Sequence, residues 1–198
     1  MKTSTTTRTL SMAFAAVLLS GGMTACKSKK KQAEVKPDPT GETEIIIPCS
    51  GPEFFTDNKV FRANNLGESM DQATSKKKAM SNARADLAAA INTRVKAVID
   101  NYVNSREMQN REEIGERYEA LAREVVDQQL TGVKTICEKM MRVNATGNYK
   151  SYVAIELSAQ ELLAAYNQRL SSDERLRIDY DYEKFKETFE KEMENMKK

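Results

Sequence analysis

The chain has 198 residues, of which 31 are lysine or arginine, 29 are aspartate or glutamate and none is histidine. Without histidine it cannot use a Ser-His-Asp or Cys-His mechanism, nor form the His-containing zinc centres of ordinary hydrolases. The near balance of charge gives no bulk attraction for a polyanion, so nucleic-acid binding is not predicted.

The N-terminal residues have the form of a bacterial lipoprotein signal peptide. Lys2 and Arg8 precede a short apolar run at residues 10–20, and the segment ends in Met23-Thr24-Ala25-Cys26. A small residue before the cleavage point and a cysteine after it are what a lipoprotein needs, because that thiol carries the diacylglyceryl group. The apolar run is shorter than the roughly twenty residues that span a bilayer. We therefore predict a signal peptide at residues 1–25 and a lipid anchor on Cys26.

Residues 26–43 are rich in lysine, contain Pro37, Pro39 and Gly41, and lack apolar periodicity, which is typical of a flexible tether. We interpret its lysines as a solubilising spacer, with contact to anionic lipid headgroups as the alternative. Lys27 stands where an aspartate would mark retention at the inner membrane. This favours the outer membrane, facing the periplasm.

Residues 44–198 predict a single α+β domain. A β-branched run at residues 44–49 and an extended segment at residues 60–65 are the first predicted strands. The capping-box spacing of Ser69 and Gln72 then predicts a long helix.

This alanine-rich helix is predicted over residues 70–103. Its apolar residues recur at steps of three and four, namely Met80, Ala83, Leu87, Ile91, Val95, Val98 and Tyr102. A lysine run at residues 76–78 lies on its polar face, and solvated charge is the simpler interpretation. That side of the helix becomes the candidate partner surface if the C-terminal stripe described below belongs to the core.

A second helix is predicted over residues 111–130, followed by a β-hairpin. The first hairpin strand starts at Val133 and has Cys137 on its apolar face, and turn residues follow at 144–148. The second strand covers residues 149–157, with three apolar side chains pointing inward: Val153, Ile155 and Leu157.

Two helices are predicted at the C-terminal end. The capping boxes Ser158/Glu161 and Ser171/Glu174 open a helix that ends near Leu170 and a helical extension over residues 173–197. The extension carries an apolar stripe of Tyr182, Phe185, Phe189, Met193 and Met196. We expect the stripe to dock on the chain's own core. A dimer or partner interface is the alternative, although two heptads are fewer than stable coiled coils use.

Cys49 and Cys137 are the two cysteines that remain once Cys26 is lipidated. An even number of thiols in an exported chain predicts one disulfide, which would tie the N-terminal segment to the sheet. Two separate buried thiols are the alternative. A redox role is not favoured because neither cysteine belongs to a C-x-x-C motif.

No catalytic, cofactor-binding or metal-ligating residue is predicted. The sequence lacks a Walker loop, a G-x-G-x-x-G motif and a calcium loop. The acidic pairs Glu112-Glu113 and Glu190/Glu194 are interpreted as solvated helix faces, because no aromatic cleft surrounds them and the chain has no tryptophan. We therefore predict a protein that is not an enzyme.

Several short motifs within residues 59–158 occur together: Phe61-Arg62-Ala63, Gly67-Glu68-Ser69, Ala79, Ala83-Arg84, Leu87-Ala88, Gly147-Asn148-Tyr149 and Tyr152-Val153-Ala154-Ile155. In these motifs the chain resembles the Lpp-twenty lipoprotein family, whose fold recurs in the N-terminal domain of flagellar-assembly protein T. The resemblance implies helices packed on one face of a mainly antiparallel sheet, in an envelope protein with no known active site. The chain from Ser158 onward lies outside the match.

The sequence thus predicts a lipid-anchored envelope protein with a structural or protein-interaction role. A binding module for a small ligand or peptide, held between the alanine-rich helix and the sheet, is the alternative. The identity of any envelope partner and the oligomeric state are left open.

Overall fold

The computed structural model describes residue 41 and residues 45–106, 110–178 and 180–195. By its internal contacts the stretch Ile45–Lys198 separates from Met1–Glu44. The predicted signal peptide, Cys26 and nearly all of the predicted tether lie outside the described residues, as does Met196 of the C-terminal stripe.

Three antiparallel strands form a sheet in the order β1-β3-β2: β1 (Val60–Ser69), β2 (Lys134–Arg142) and β3 (Tyr149–Ser158). The four α-helices are α1 (Gln72–Asn104), α2 (Arg111–Gln129), α3 (Ala159–Ser172) and α4 (Tyr182–Glu194). Short 3-10 turns occur at Pro52–Phe54 and Leu130–Gly132. The predicted α+β class is confirmed, with its small antiparallel sheet, long alanine-rich helix and C-terminal helix.

The central strand β3 defines the two faces of the sheet. Val153, Ile155 and Leu157 are buried at 0–4% exposure, as their alternation predicted. The β1 register sets Phe61 opposite Leu157 and Ala63 opposite Ile155, so β1 adds apolar side chains to the same face. Helix α1 covers this face over β1 and β3.

Helix α1 buries the face that its apolar spacing predicted, except that the first buried position differs by one residue. Ala79 is fully buried where Met80 was expected, and Met80 is only partly covered. The helix begins later than the capping box predicted, because Ser69 still pairs with Tyr149 in the sheet. Asp71 is the N-cap, and its carboxylate accepts a hydrogen bond from the Thr74 amide at 2.7 Å.

The predicted strand at residues 44–49 is wrong for the residues described. Ile45 and Ile46 are 79% and 81% exposed and belong to no strand. Pro48 has no amide hydrogen to donate to a sheet, and Cys49 adopts a left-handed φ of 56° that turns the chain.

The first C-terminal capping box is confirmed, and the second is wrong. Ser158 accepts a hydrogen bond from the Glu161 amide at 3.3 Å and caps α3. Helix α3 then continues through Ser172, so Ser171 lies within it and cannot cap the next helix. Helix α4 starts instead after Asp181, which accepts from the Lys184 amide at 3.1 Å.

The turn between α3 and α4 is fastened to α2 by a buried carboxylate. The Asp173 side chain is only 3% exposed, and one of its oxygens lies 2.6 Å from a guanidinium nitrogen of Arg117. Its other oxygen accepts from the amides of Arg175 and Leu176. The carboxylate thereby accepts hydrogen bonds from two backbone amides and also forms an ion pair with a guanidinium group.

The apolar stripe of α4 packs on the chain's own core, as expected. Phe185, Phe189 and Met193 are 1–2% exposed, and the Phe185 ring lies edge-on to Tyr102 at a centroid distance of 5.4 Å. These three residues therefore cannot form the exposed interface that was considered as the alternative. Tyr182 at the start of the stripe is partly exposed.

Candidate functional site

Cys49 and Cys137 form the predicted disulfide, with their sulfurs 2.10 Å apart and their Cα atoms 5.6 Å apart. The bridge lies on the face of the sheet opposite the helices, not on the apolar face where Cys137 was expected. A register shift between Thr135 and Cys137 places a β-bulge at residue 136, and Cys137 pairs with Ala154. Val153 points toward the helices, so its neighbour Ala154 points to the opposite face of the sheet. Cys137, which pairs with Ala154, points to that opposite face as well.

Residues 49–57, which we call the strap, run across this second face of the sheet. At one end the Cys49 sulfur is bonded to β2 and lies 3.6 Å from the Tyr152 carbonyl oxygen of β3. At the other end Thr56 hydrogen-bonds to both backbone groups of Arg62 in β1. Ala154 is fully buried on this face.

Arg62 joins the strap to the sheet electrostatically. Its guanidinium lies 3.1 Å from Asp57 and 3.2 Å from Glu156, and it donates to the Phe55 carbonyl at 2.9 Å. Partial burial raises the pKa of Asp57, but hydrogen bonds from the Lys59 and Val60 amides and the charge of Arg62 outweigh it. The pKa of Asp57 therefore lies below its usual value.

On the helix face, β1 and α1 approach so closely that no cavity remains between them at this point. A Cβ atom on Gly67 would lie 2.4 Å from both the Ala79 nitrogen and the Ser75 carbonyl oxygen. The buried Ser75 hydroxyl bonds to the Gly67 carbonyl and to the Ser151 hydroxyl, each at 2.9 Å. Glycine is required here by contact with neighbouring backbone.

The outer edge of β1 is closed by the chain itself. Three of its outward-facing residues have both backbone groups hydrogen-bonded, namely Val60, Arg62 and Leu66. The partners are Asp57, Thr56, Asn65 and Asn82. No further strand can pair along this edge without displacing them.

The lysine run of α1 lies beside the sheet. Lys76 forms an ion pair with Glu138 of β2 at 2.8 Å, and Lys78 donates to the Glu68 carbonyl at 3.2 Å. Within the described part of the chain, Lys77 forms no ion pair. Lys76 thus reaches β2 and Lys78 reaches β1, an arrangement that the sequence pattern did not predict.

The acidic pairs are exposed on helix surfaces, and Glu112 also borders an open depression of about 300 Å³ between α1 and α2 that is lined by Asp100, Glu116 and Glu119 among others. Glu112, Glu113, Glu190 and Glu194 are all exposed. Among the described residues, no group of three or more His, Cys, Asp or Glu side chains is placed to hold a metal ion. The helices that the structure describes include none with the length and apolar character needed to cross a membrane.

Comparisons with protein-family models, with curated proteins and with solved structures found no significant match to this chain.

Proposed function

We propose that the protein is a lipid-anchored lipoprotein of the bacterial cell envelope, held on the outer membrane and facing the periplasm. The observation that carries this proposal is the N-terminal sequence, in which a short apolar run leads to Ala25 and Cys26. The Cys49–Cys137 disulfide supports it, because disulfides persist in exported proteins and are rare in reducing compartments.

The role we propose is structural or protein-binding, without catalysis. The close packing of Gly67, Ala79, Ala83 and Leu87 supports this over the alternative of a small ligand between α1 and the sheet, because these residues fill that space. The chain also lacks histidine, and the acidic pairs considered for acid-base chemistry lie on open helix faces.

We also propose that the chain shares the fold of the Lpp-twenty family. In support, the motifs that carry the resemblance lie on β1, α1 and the β2–β3 hairpin, which together make the sheet and its covering helix. Helices α3 and α4 are additions to this unit, and α4 packs on α1.

The experiment that tests the anchor is membrane fractionation of the Cys26→Ala variant, together with metabolic labelling by an alkyne-tagged fatty acid. We expect the wild type to be labelled and to sediment with outer membranes. Cys26→Ala should lose the label and the outer-membrane location. The double variant Cys49→Ser/Cys137→Ser is the matched control, since it removes both other cysteines and should keep the label. Unchanged labelling of Cys26→Ala would contradict the proposal.

A further inference from the structure

The outer edge of β2 has free backbone groups. The Val143 amide donates to the Asn148 carbonyl at 2.8 Å, and Cys137 and Met141 pair with Ala154 and Lys150 in the same register. Residues 137, 139 and 141 are therefore the ones that bond to β3, because bonding alternates along an antiparallel ladder. The N–H and C=O groups of Glu138, Met140 and Arg142 point away from the sheet.

This edge differs from the closed edge of β1. In the part of the chain that the structure describes, no loop or side chain hydrogen-bonds to the outward backbone groups of β2 after the bulge. A strand edge of this kind can accept an extended segment of another chain, with backbone hydrogen bonds giving affinity.

The side chains around the edge are basic. Strand β2 carries Lys134, Lys139 and Arg142 but one acid, Glu138, which is already paired with Lys76. Lys134 is paired with Glu156 at 3.2 Å, whereas no described acid forms an ion pair with Lys139 or Arg142. Two cations of the strand are thus left for a partner.

Helix α1 continues the basic surface next to β2. An open depression of about 570 Å³ lies along its exposed side, lined by Ala73, Lys76, Lys77, Met80, Ser81 and Arg84. Neither Lys77 nor Arg84 forms an ion pair with any acid in the described residues. Apolar contact is available beside these cations from Met80, which is partly covered, and on the opposite face of the sheet from Met141 of β2, which is 49% exposed. Methionine adapts readily to different apolar partners.

A second copy of the chain would bring little acid to this edge. Antiparallel pairing of β2 with itself about Met140 sets Glu138 opposite Arg142, but Glu138 is the single acid of the strand and is already paired with Lys76. Pairing about Glu138 instead sets Lys134 opposite Arg142, and like charges directly opposite one another destabilise strand pairing. Neither register supplies an acid for Lys139, so the charge of the surface is better complemented by an acidic segment.

We propose that β2 and the adjoining side of α1 bind an extended acidic segment of a partner protein, in which acidic and apolar residues alternate. The segment adds to the sheet as a fourth strand along Glu138, Met140 and Arg142. Its carboxylates lie on the helix face of the sheet and pair with Lys77, Arg84 and Arg142, whereas its apolar side chains lie on the opposite face and contact Met141. This inference rests on the protein-binding role proposed above, and it names the chemistry of the partner.

The test is binding of a dye-labelled peptide of alternating glutamate and valine, as long as β2, to the purified full chain, followed by fluorescence anisotropy. We expect saturable binding that weakens as salt is added. The same peptide with alternate backbone amides methylated should bind at least about tenfold more weakly, because it cannot form the strand ladder. A lysine-valine peptide should be weaker by a similar factor of about ten.

Two pairs of variants locate the site on the protein. Met140→Pro removes one outward amide without touching the β3 ladder, and proline is tolerated at such edge positions. It should weaken peptide binding about tenfold, whereas Met140→Ala, which keeps the amide, should change it less than about threefold. Lys77→Glu/Arg84→Glu should weaken binding, and Arg111→Glu on α2 is the distant control. Thermal melting of each variant checks that it folds.

Three results would overturn the inference. The first is no saturable binding of the acidic peptide, or equal binding of its methylated form. The second is self-association of the wild type that Met140→Pro abolishes, which would assign the edge to a second copy. The third is binding to vesicles of phosphatidylcholine and phosphatidylglycerol that depends on Lys77 and Arg84, with no peptide binding. None of these results depends on Cys26, so failure here leaves the proposed anchor standing.

Discussion

The backbone of Gly67 in β1 passes so close to Ala79 in α1 that a Cβ atom on Gly67 would lie 2.4 Å from the Ala79 nitrogen. The obstacle is backbone of the long helix, so no side-chain rotation can relieve it. This single contact sets how closely the helix lies on the sheet, and it is held by the buried Ser75 hydroxyl bonded to the Gly67 carbonyl.

We predict that Gly67→Ala destabilises the protein by at least about 1–3 kcal/mol, because it forces α1 and β1 apart. Urea unfolding followed by circular dichroism measures the effect. Gly115→Ala in α2 is the matched control, since a Cβ there meets nothing within 4 Å. Alanine should stabilise that helix by up to about 1 kcal/mol. Equal midpoints for Gly67→Ala and wild type would contradict the prediction.

Removing the rings of α4 should destabilise the fold without changing the oligomeric state. Phe185 and Phe189 are each no more than 2% exposed, and truncating a buried phenylalanine to alanine costs about 3–5 kcal/mol. We expect a large fall in melting temperature for Phe185→Ala and for Phe189→Ala. Ile178→Ala, at a side chain 81% exposed, should stay within about 0.5 kcal/mol of wild type. An unchanged melting temperature with loss of a dimer would instead make the stripe an interface.

The disulfide should make a large contribution to stability. It links residues 88 positions apart, and the chain-entropy model assigns such a loop about 4–5 kcal/mol as an upper estimate. Cys49→Ser/Cys137→Ser should therefore unfold at clearly lower urea concentration. Dithiothreitol should shift the wild type in the same direction and leave the double variant unmoved. Two alkylatable thiols in the purified wild type without reductant would refute the bridge.

Stability should fall in acid partly through Asp173. Burial raises the pKa of Asp173, but hydrogen bonds from Arg117 and from the Leu176 and Arg175 amides outweigh it, so its pKa lies below the usual value. Because the folded pKa is the lower one, the carboxylate stabilises the fold above its unfolded pKa of about 3.9. This stability is lost as the pH falls through the folded pKa.

The measurement is the unfolding free energy of wild type and Asp173→Asn across the acidic range. The difference between them should be largest near about pH 6 and should shrink toward about pH 2. Glu113→Gln is the control, because the ion pair that Glu113 forms with Arg175 is exposed on both sides, and such pairs contribute little. A difference for Asp173→Asn that stays constant with pH would show that the charge of Asp173 is not the cause.

The sequence predicted the elements whose patterns repeat over many residues. The two-residue alternation of Val153, Ile155 and Leu157 and the helical spacing from Leu87 to Tyr102 both identify faces that are buried along their whole length. Such a pattern reflects the number of residues per turn or per pleat of the element. It can therefore be recognised without knowing which other elements pack against it. The α1 and β3 assignments were correct for this reason.

The features that the sequence did not predict depend on a single residue or on distant parts of the chain. The β-bulge at residue 136 moves Cys137 to the other face, and two-residue alternation carries no sign of it. Ser69 and Asp71 are both good caps, and only the pairing of Ser69 with Tyr149 decides between them. The sequence of β2 likewise does not show that its outer edge is open. Whether that edge is open depends on whether other parts of the chain hydrogen-bond to it.

The strap has a mechanical consequence. It is bonded to β2 through Cys137, touches β3 at Tyr152 and is held on β1 by Arg62, so it crosses every strand of the sheet. A pulling force applied to the chain ahead of Cys49 is therefore passed by the covalent bridge to Cys137 in β2. It does not peel β1 away one hydrogen bond at a time, as it would if the chain entered the fold directly at that strand.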